Sequence, residues 1–333
     1  MSSLIVEVVE FEKEDHPNAD RLAIAKIKGK AWQCIISKDW KEPFIGVYFP
    51  IDSILPPNLV EEFNLEKMTS KGRIRSVRLR GELSQGLLLP LEGSISKSEI
   101  GSDIASKLGI TKYDPPIPIN MSGTMEKKPD GWTKYTDIEN IKNFPASFED
   151  GEIVSCSEKA HGACSSFMKF GGELFVSSHN VCLKRNKDNS YWRAAIEIED
   201  KLMEFLGEGD TLFGELLGVQ ELKYGLEGGK VAIRFFDLLS GGKYMDTNEF
   251  RQKVGKFFGE EYLVPLLYEG PFSYDKMQEL SSGDSVIPGA NHIREGIVIK
   301  PIKERYDGKI GRIVLKFISD DYLLSKGKKT EYH

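Results

Sequence analysis

Up to about position 100, apolar residues recur at every second place in short runs: Leu4–Val9, Leu22–Ile27, Trp32–Ile36 and Val47–Ile51. A period of two turns one side of each run toward a core and marks a strand. Arg73–Arg80 and Gln85–Pro90 read as a further pair, joined by a turn at Gly81–Ser84. Asp103–Leu108 reads as one or two helical turns. Five or six short strands with little helix predict a small closed barrel, with a single sandwich layer as the alternative.

The pattern then breaks. Lys112–Pro118 is rich in proline and cannot continue a helix or a central strand, and Ser122–Thr133 is polar. Asp137–Asn143 reads as a short helix with Asp137 as its cap. Beyond it, strand and helix patterns mix. Ile153–Glu158 alternates as a strand, and Ser165–Phe170 with Leu174–Ser178 predicts a hairpin about Gly171-Gly172. Trp192–Phe205 carries Ala195, Ile198, Leu202, Met203 and Phe205 at the spacing of an amphipathic helix. Strands are expected at Asp210–Leu217, Val231–Leu239, Ile297–Ile299 and Arg312–Phe317, with a helix near Asn248–Phe258. This order is too irregular for parallel crossover units, and no P-loop or Gly-x-Gly-x-x-Gly is present. The predicted class is α+β: an oligonucleotide-binding (OB)-like barrel over 1–111, a linker over 112–130, and a mainly antiparallel α/β domain over 131–333.

A length of 333 residues with 40% hydrophobic and 29% charged positions fits two well-cored domains. The start has no basic segment followed by an apolar one, and no stretch is apolar for the roughly 18–20 residues that span a bilayer. Cys34, Cys156, Cys164 and Cys182 form no close ligand pair and are expected to be reduced, in a cytoplasmic or nuclear setting. The net charge of -6 argues against nucleic acid only globally, because binding follows the local field. Lys67, Lys71, Arg73, Arg75, Arg78 and Arg80 form a basic run with no acidic residue among them. A looser cluster holds Lys300, Lys303, Arg305, Lys309, Arg312 and Lys316. Both are candidate phosphate-binding faces.

The chemistry lies in an ordered set of residues. Lys159-Ala160-His161-Gly162 is followed by Gly214-Glu215-Leu216, then Phe235-Phe236-Asp237, then Glu295-Gly296-Ile297-Val298-Ile299-Lys300, and finally Lys316. A lysine just ahead of a glycine turn, with later strands returning carboxylates and more lysines, suits an enzyme that carries a nucleotide on a lysine. Alone, a lysine beside glycine is most often a surface residue; the ordered set is what points to phosphoryl chemistry.

These segments resemble the conserved motifs of the covalent nucleotidyltransferases, and most closely the ATP-dependent RNA ligases that seal nicked duplex RNA. His161, two places after the lysine, is similar to those ligases. Trp32-Gln33-Cys34, Ile51–Pro56 and Leu83–Pro90 resemble members with an OB domain ahead of the ligase domain, and Asp320–Leu324 resembles their tails. The resemblance implies ATP as co-substrate, Mg2+ or Mn2+, and RNA with 3'-OH and 5'-phosphate ends, with no membrane and no obligate protein partner. Lys159 is the implied nucleophile that takes AMP, with Asp237, Glu295 and Lys316 as further catalytic residues. Glu158, His161, Gly162, Glu215, Phe236 and Lys300 are implied in nucleotide binding, Phe236 by stacking on adenine and Glu215 at the ribose. Phe235, its neighbour, is expected to face the core. Glu215, Asp237 and Glu295 are the implied metal carboxylates. Arg73, Arg75, Arg78, Arg80, His179 and Arg185 are the expected RNA-binding set.

Two departures stand out. His179 occupies a position where these ligases usually have arginine, and Lys316 stands without the second lysine the last motif often carries. A GTP-dependent capping guanylyltransferase is one alternative, though such enzymes place the OB domain last. A catalytically decayed RNA-binding protein is another, favoured by the likeness of His16–Leu22 to a segment of tRNA-binding modules.

Overall fold

The computed structural model describes residues 4–66, 69–90, 97–113 and 124–325. Two compact units divide the chain. One is Met1–Pro115 with Glu139–Ala146 and Leu323–His333; the other is Pro116–Ile138 with Ser147–Tyr322.

In the first unit the strands are β1 (Glu7–Asp15), β2 (Leu22–Ile27), β3 (Gln33–Ser37), β4 (Ile45–Phe49) and β5 (Ser53–Ile54). A short α1 (Pro57–Glu62) precedes β6 (Ser76–Leu79), β7 (Glu82–Gln85), β8 (Leu87–Pro90), β9 (Thr111–Lys112) and β10 (Glu139–Asn140). The main sheet runs β3-β2-β1-β4-β8, all antiparallel. β1 is shared: Glu7–Glu10 pairs with β4, whereas Phe11–Asp15 pairs with β2. A long strand that serves two partners in turn must coil, and this curls the sheet toward closure. The β6–β7 hairpin fills the gap, where Gln33 Nε2 donates to Leu83 O at 2.8 Å and the Ile35 amide donates to Ser84 Oγ at 3.0 Å. The result is a nearly closed OB barrel around Val6, Val8, Val47, Phe49 and Leu89.

Four local expectations are corrected here. The hairpin turns at Arg80-Gly81 rather than over Gly81–Ser84, and the strand expected from Gln85 is broken at Gly86. Gly86 has φ +113°, and a Cβ there would stand 2.7 Å from Phe49 O, so only glycine permits the step. The hairpin pairing begins only at Ser76; Arg73, with its side chain buried, bridges Ile54 and Ser70 instead. Asp137–Asn143 is not a helix capped by Asp137. It gives β10 and a single 3-10 turn, Ile141–Asn143, capped by the Asn140 side chain. Asn140 captures the Lys142 amide and leaves Asp137 to other partners.

The second unit holds two antiparallel layers. Its strands are β11 (Ile153–Glu158), β12 (Ala163–Phe170), β13 (Glu173–Ser178), β14 (Cys182–Leu183), β15 (Thr211–Leu217), β16 (Ala232–Ser240) and β17 (Lys243–Tyr244). β18 (Leu266–Pro271), β19 (Gly296–Pro301), β20 (Tyr306–Asp307), β21 (Gly311–Arg312) and β22 (Leu315–Ile318) follow. One sheet is ordered β14-β13-β12-β15-β16-β17, and the other contains β22-β19-β11-β18. The helices are α2 (Ser190–Ile196), α3 (Glu199–Phe205), α4 (Thr247–Phe258), α5 (Tyr274–Ser281) and α6 (Asp320–Leu324). The single helix expected over Trp192–Phe205 is two. Asn189 caps α2 by accepting the Tyr191 and Trp192 amides, and Ile198, at φ -129°, breaks the turn before α3. Ala195, Ile198 and Leu202 still reach one core, which also takes Val176, Leu212 and Phe235. All four cysteines are free, and Cys34, Cys156 and Cys182 are buried. No helix among the described residues is long and apolar enough to cross a membrane.

Candidate active site

Lys159 leaves the end of β11, where its amide donates to Gly296 O at 2.9 Å and anchors it beside the start of β19. Its Nζ lies 2.7 Å from Glu295 Oε1. The other Glu295 oxygen lies 2.8 Å from His161 Nδ1, so one buried carboxylate holds both the lysine and the histidine. The His161 amide donates to the Tyr224 hydroxyl at 2.7 Å, and the Tyr322 hydroxyl lies 3.3 Å from His161 Nδ1. Tyr322 lies in the tail segment Asp320–Leu324 singled out above, whereas Tyr224 lies outside every motif and was missed.

The chain between β11 and β12 must pass very close to β15. A Cβ on Gly162 would stand 2.2 Å from Leu216 O, which leaves room for glycine alone. The close approach brings the Gly162 backbone against Glu215, which favours its charged form. Glu215 sits in mid-β15 opposite Cys164. Burial pushes its carboxyl up to about 8, helped by Glu295 and opposed by the Lys159 ammonium.

β16 carries the aromatic pair and the third carboxylate. A register shift falls between Phe213 and Gly214: Phe213 faces Asp237 and Gly214 faces Phe235, leaving Phe236 as an extra residue. Such bulges re-aim side chains beside functional sites. Phe235 is fully buried with Phe167, Phe258 and Tyr262. Phe236 is half-buried, and its ring meets Tyr135 edge-on at 4.8 Å.

Asp237 is fully buried, and its Oδ2 gathers three donors: Lys300 Nζ at 2.6 Å, Arg312 Nη2 at 2.7 Å and the Tyr135 hydroxyl at 2.8 Å. Burial works against its charge, but Lys300 and Arg312 outweigh that and hold the carboxyl below its ordinary range. Lys300 also donates to Phe236 O at 2.9 Å. Lys316 is buried on β22, opposite Val298 of β19. The geometry thus links the motif residues in two groups, Lys159–His161–Glu295 with Glu215 nearby, and Phe236–Asp237–Lys300.

Among the described residues no three His, Cys, Asp or Glu side chains converge as a metal site. Both Glu295 oxygens are engaged by Lys159 and His161, while Glu215 is only partly buried. This donor set does not fit a protein-only cage. It fits a hard cation held by one or two carboxylates together with water and phosphate oxygens.

The sequence model of the RNA ligase family matches residues 152–318, which contain this entire set apart from Tyr135 and Tyr322. The chain belongs to the RNA ligase family. An OB-fold domain model matches residues 5–91, the barrel described above. Among solved structures, a Naegleria gruberi RNA ligase mutant with ATP and Mn is similar at 27% identity and TM-score 0.80, covering 96% of this chain and 98% of that one. The same ligase with PPi matches at 27% identity and TM-score 0.79, covering 97% and 98%. A mutant with AMP and Mn matches at 26% identity and TM-score 0.80, covering 96% and 98%. Among curated proteins, none matches significantly.

The remaining expected residues of this ligase fall elsewhere. Glu158 gives both carboxylate oxygens to the loop ahead of β19, accepting from Ser285 Oγ at 2.5 Å and the Val286 amide at 2.8 Å. Arg73 does not present itself to RNA: it is buried, pairs with Asp52 at 2.6 Å and stacks on Tyr113 at 3.6 Å. Arg75, Arg78 and Arg80 are exposed, and Lys67 lies outside the described residues. His179 contacts Asp137 Oδ1 at 3.0 Å, and burial lowers its pKa from the ordinary value. Arg185 forms a two-pronged pair with Glu199, at 2.6 and 2.8 Å, over the Trp192 ring. The cluster from Lys300 to Lys316 is not one basic surface either. Lys300, Arg312 and Lys316 are buried, and Arg305 pairs with Glu152. His16, part of the tRNA-binding likeness, instead contacts Leu79 O at 3.0 Å and braces the β6–β7 hairpin.

Proposed function

We propose that this RNA ligase carries AMP on Lys159 and uses it to join 3'-OH and 5'-phosphate RNA ends, at nicks in duplex RNA. The observation that carries the reading is the Lys159–Glu295 contact of 2.7 Å, with His161 on the far oxygen of the same carboxylate. An ammonium cannot attack phosphorus, and Glu295 Oε1 is placed to accept its proton. Nζ then forms a bond to the α-phosphorus of ATP while the bond to the bridging oxygen breaks and pyrophosphate leaves. An oxygen of the RNA 5'-phosphate then bonds the AMP phosphorus as the P–N bond to Lys159 breaks; the 3'-hydroxyl oxygen attacks the 5'-phosphorus, its proton passes to solvent, and AMP leaves as the phosphodiester forms.

Phe236 offers the adenine a flat face, and Glu215 offers the ribose an acceptor. Lys300 and Lys316 supply positive charge for the phosphates. Mg2+ or Mn2+, bound with the triphosphate, would neutralise the charge that builds on pyrophosphate; Glu215, on giving up its proton as the cation binds, is the carboxylate best exposed to reach it. ATP, AMP, PPi and Mn in the solved Naegleria gruberi ligase support the choice of nucleotide and metal. The exposed Arg75, Arg78 and Arg80 of the OB barrel supply cations for RNA phosphates.

The test is incubation with α-labelled ATP or GTP and Mn2+, followed by denaturing electrophoresis and peptide mapping. Label from ATP on Lys159, lost in K159A, is expected. Label from GTP alone assigns capping instead, and absence of label from both assigns a binding protein. Sealing of nicked RNA and nicked DNA duplexes then decides the substrate, with RNA expected.

A further inference from the structure

Arg312, on the β20–β21 hairpin between Lys300 and Lys316, has no part in the chemistry above, yet only 2% of its side chain is exposed. Its Nη2 bonds Asp237 Oδ2 at 2.7 Å, and its Nε bonds Glu304 Oε2 at 2.7 Å. The guanidinium lies 3.5 Å over the Tyr244 ring and 5.6 Å from that of Tyr135. It therefore grips the oxygen on which Lys300 and Tyr135 also converge, while Lys300 reaches on to Phe236 O.

Stability alone does not account for this assembly. Arg312 Nη1 and Asp237 Oδ1 are buried without a hydrogen-bond partner, and each such atom costs about 1–3 kcal/mol. Apolar residues of similar size commonly fold as well as or better than a buried ion cluster. What the guanidinium adds is a rigid planar fork that fixes two carboxylates in one geometry, where an ammonium offers only rotatable donors.

We infer that Arg312 is a positioning residue for nucleotidyl transfer, fixing Asp237 so that Lys300 and the Phe236 main chain hold the nucleotide in register with Lys159. This rests on the lysyl-AMP reading above. Arg312 touches no substrate; it acts through Asp237.

Single-turnover transfer of label from α-labelled ATP to Lys159, followed over a range of ATP concentrations, tests it. R312Q is expected to lower the saturating rate about 30- to 100-fold, the scale of a misplacement of roughly 1 Å. Half-saturating ATP should move less than about threefold. R312K keeps the charge without the fork and should recover part of the loss. The D237N/R312Q pair should be no slower than about threefold below the slower single variant, because the two residues act as one unit. R305Q, at the half-buried Glu152 pair, should combine additively with D237N.

If R312Q does not reach the wild-type melting temperature, E304Q decides. It removes the outer anchor of the guanidinium and is expected to slow the same step at unchanged half-saturating ATP. A wild-type saturating rate in R312Q, or in E304Q where R312Q does not fold, overturns the inference, as does full additivity with D237N. Wild type labelled on Lys159 beside an unimpaired variant overturns this inference alone, whereas absence of label on wild-type Lys159 overturns the lysyl-AMP reading with it.

Discussion

Replacing Glu215 by Gln should stabilise the catalytic unit in alkali while weakening its chemistry. The carboxyl is raised from an ordinary 4.5 to about 8, chiefly by burial. Below about pH 4.5 it is protonated both folded and unfolded, so Glu and Gln differ little. Between that point and about pH 8 the unfolded chain has released the proton while the folded chain retains it, and wild-type stability falls as pH rises. At about 1.36 kcal/mol per pH unit, the interval corresponds to a ceiling of about 5 kcal/mol. Glu215 is partly open to solvent, and screening brings the expected difference to about 2–3 kcal/mol. Urea unfolding of E215Q and wild type at pH 5, 7 and 9 measures it. The advantage of E215Q should be smallest at pH 5, grow through pH 7 and level off above about pH 8. Because the Lys159 ammonium pulls the Glu215 value down, the K159A background should extend the growth to higher pH. An advantage that is constant with pH, or that shrinks, would refute the assignment of a partly buried, proton-holding carboxylate at this position.

The two adjacent rings should part company. Phe235→Ala removes a fully buried core side chain and should cost about 3–5 kcal/mol in urea unfolding. Phe236→Ala should leave stability within about 1 kcal/mol and weaken ATP binding by about 1–3 kcal/mol, the scale of one base stacked on one ring, read by titration in K159A. Gly162→Ala places a methyl 2.2 Å from Leu216 O; the enforced backbone shift should slow lysyl-AMP formation by about 100-fold in the single-turnover assay. Replacing Arg75, Arg78 and Arg80 together by Ala should reduce the log-log salt slope of RNA binding by up to about 3. Lysyl-AMP formation without RNA should be unchanged.

Much of this architecture was legible because period-two patterning and glycine turns act locally. The runs at Leu22–Ile27 and Ile153–Glu158 are strands, and the Phe235/Phe236 split follows from the alternation of faces along β16. What alternation could not supply was the bulge that singles out Phe236, since that depends on the partner strand. The break inside Trp192–Phe205 was hidden for a related reason. α2 and α3 both feed one core, so apolar spacing continues straight through a point where the backbone does not.

Charge was the harder signal, because a cation in a sequence does not name its neighbour. Arg73 and Arg75 stand two places apart in one basic run, yet Arg73 closes on Asp52 and Arg75 meets solvent. The carboxylate that captures Arg73 lies 21 positions away, and the one that captures Arg312 lies 75 away. Runs of lysine and arginine therefore report an RNA-facing surface only after long-range carboxylates have been assigned. The ordered motifs escape this limit because they list both partners: Glu295 and Lys159, or Asp237 and Lys300, each bring their own counter-charge. Arg312 takes its counter-charge from Glu304 nearby on the chain and from that same Asp237, already committed to a lysine. Arg312 thus converges on the oxygen that Lys300 already holds, and that convergence, with Glu304 as its outer anchor, groups the hairpin between Lys300 and Lys316 with Asp237 and Lys300 rather than with the exposed arginines of the barrel.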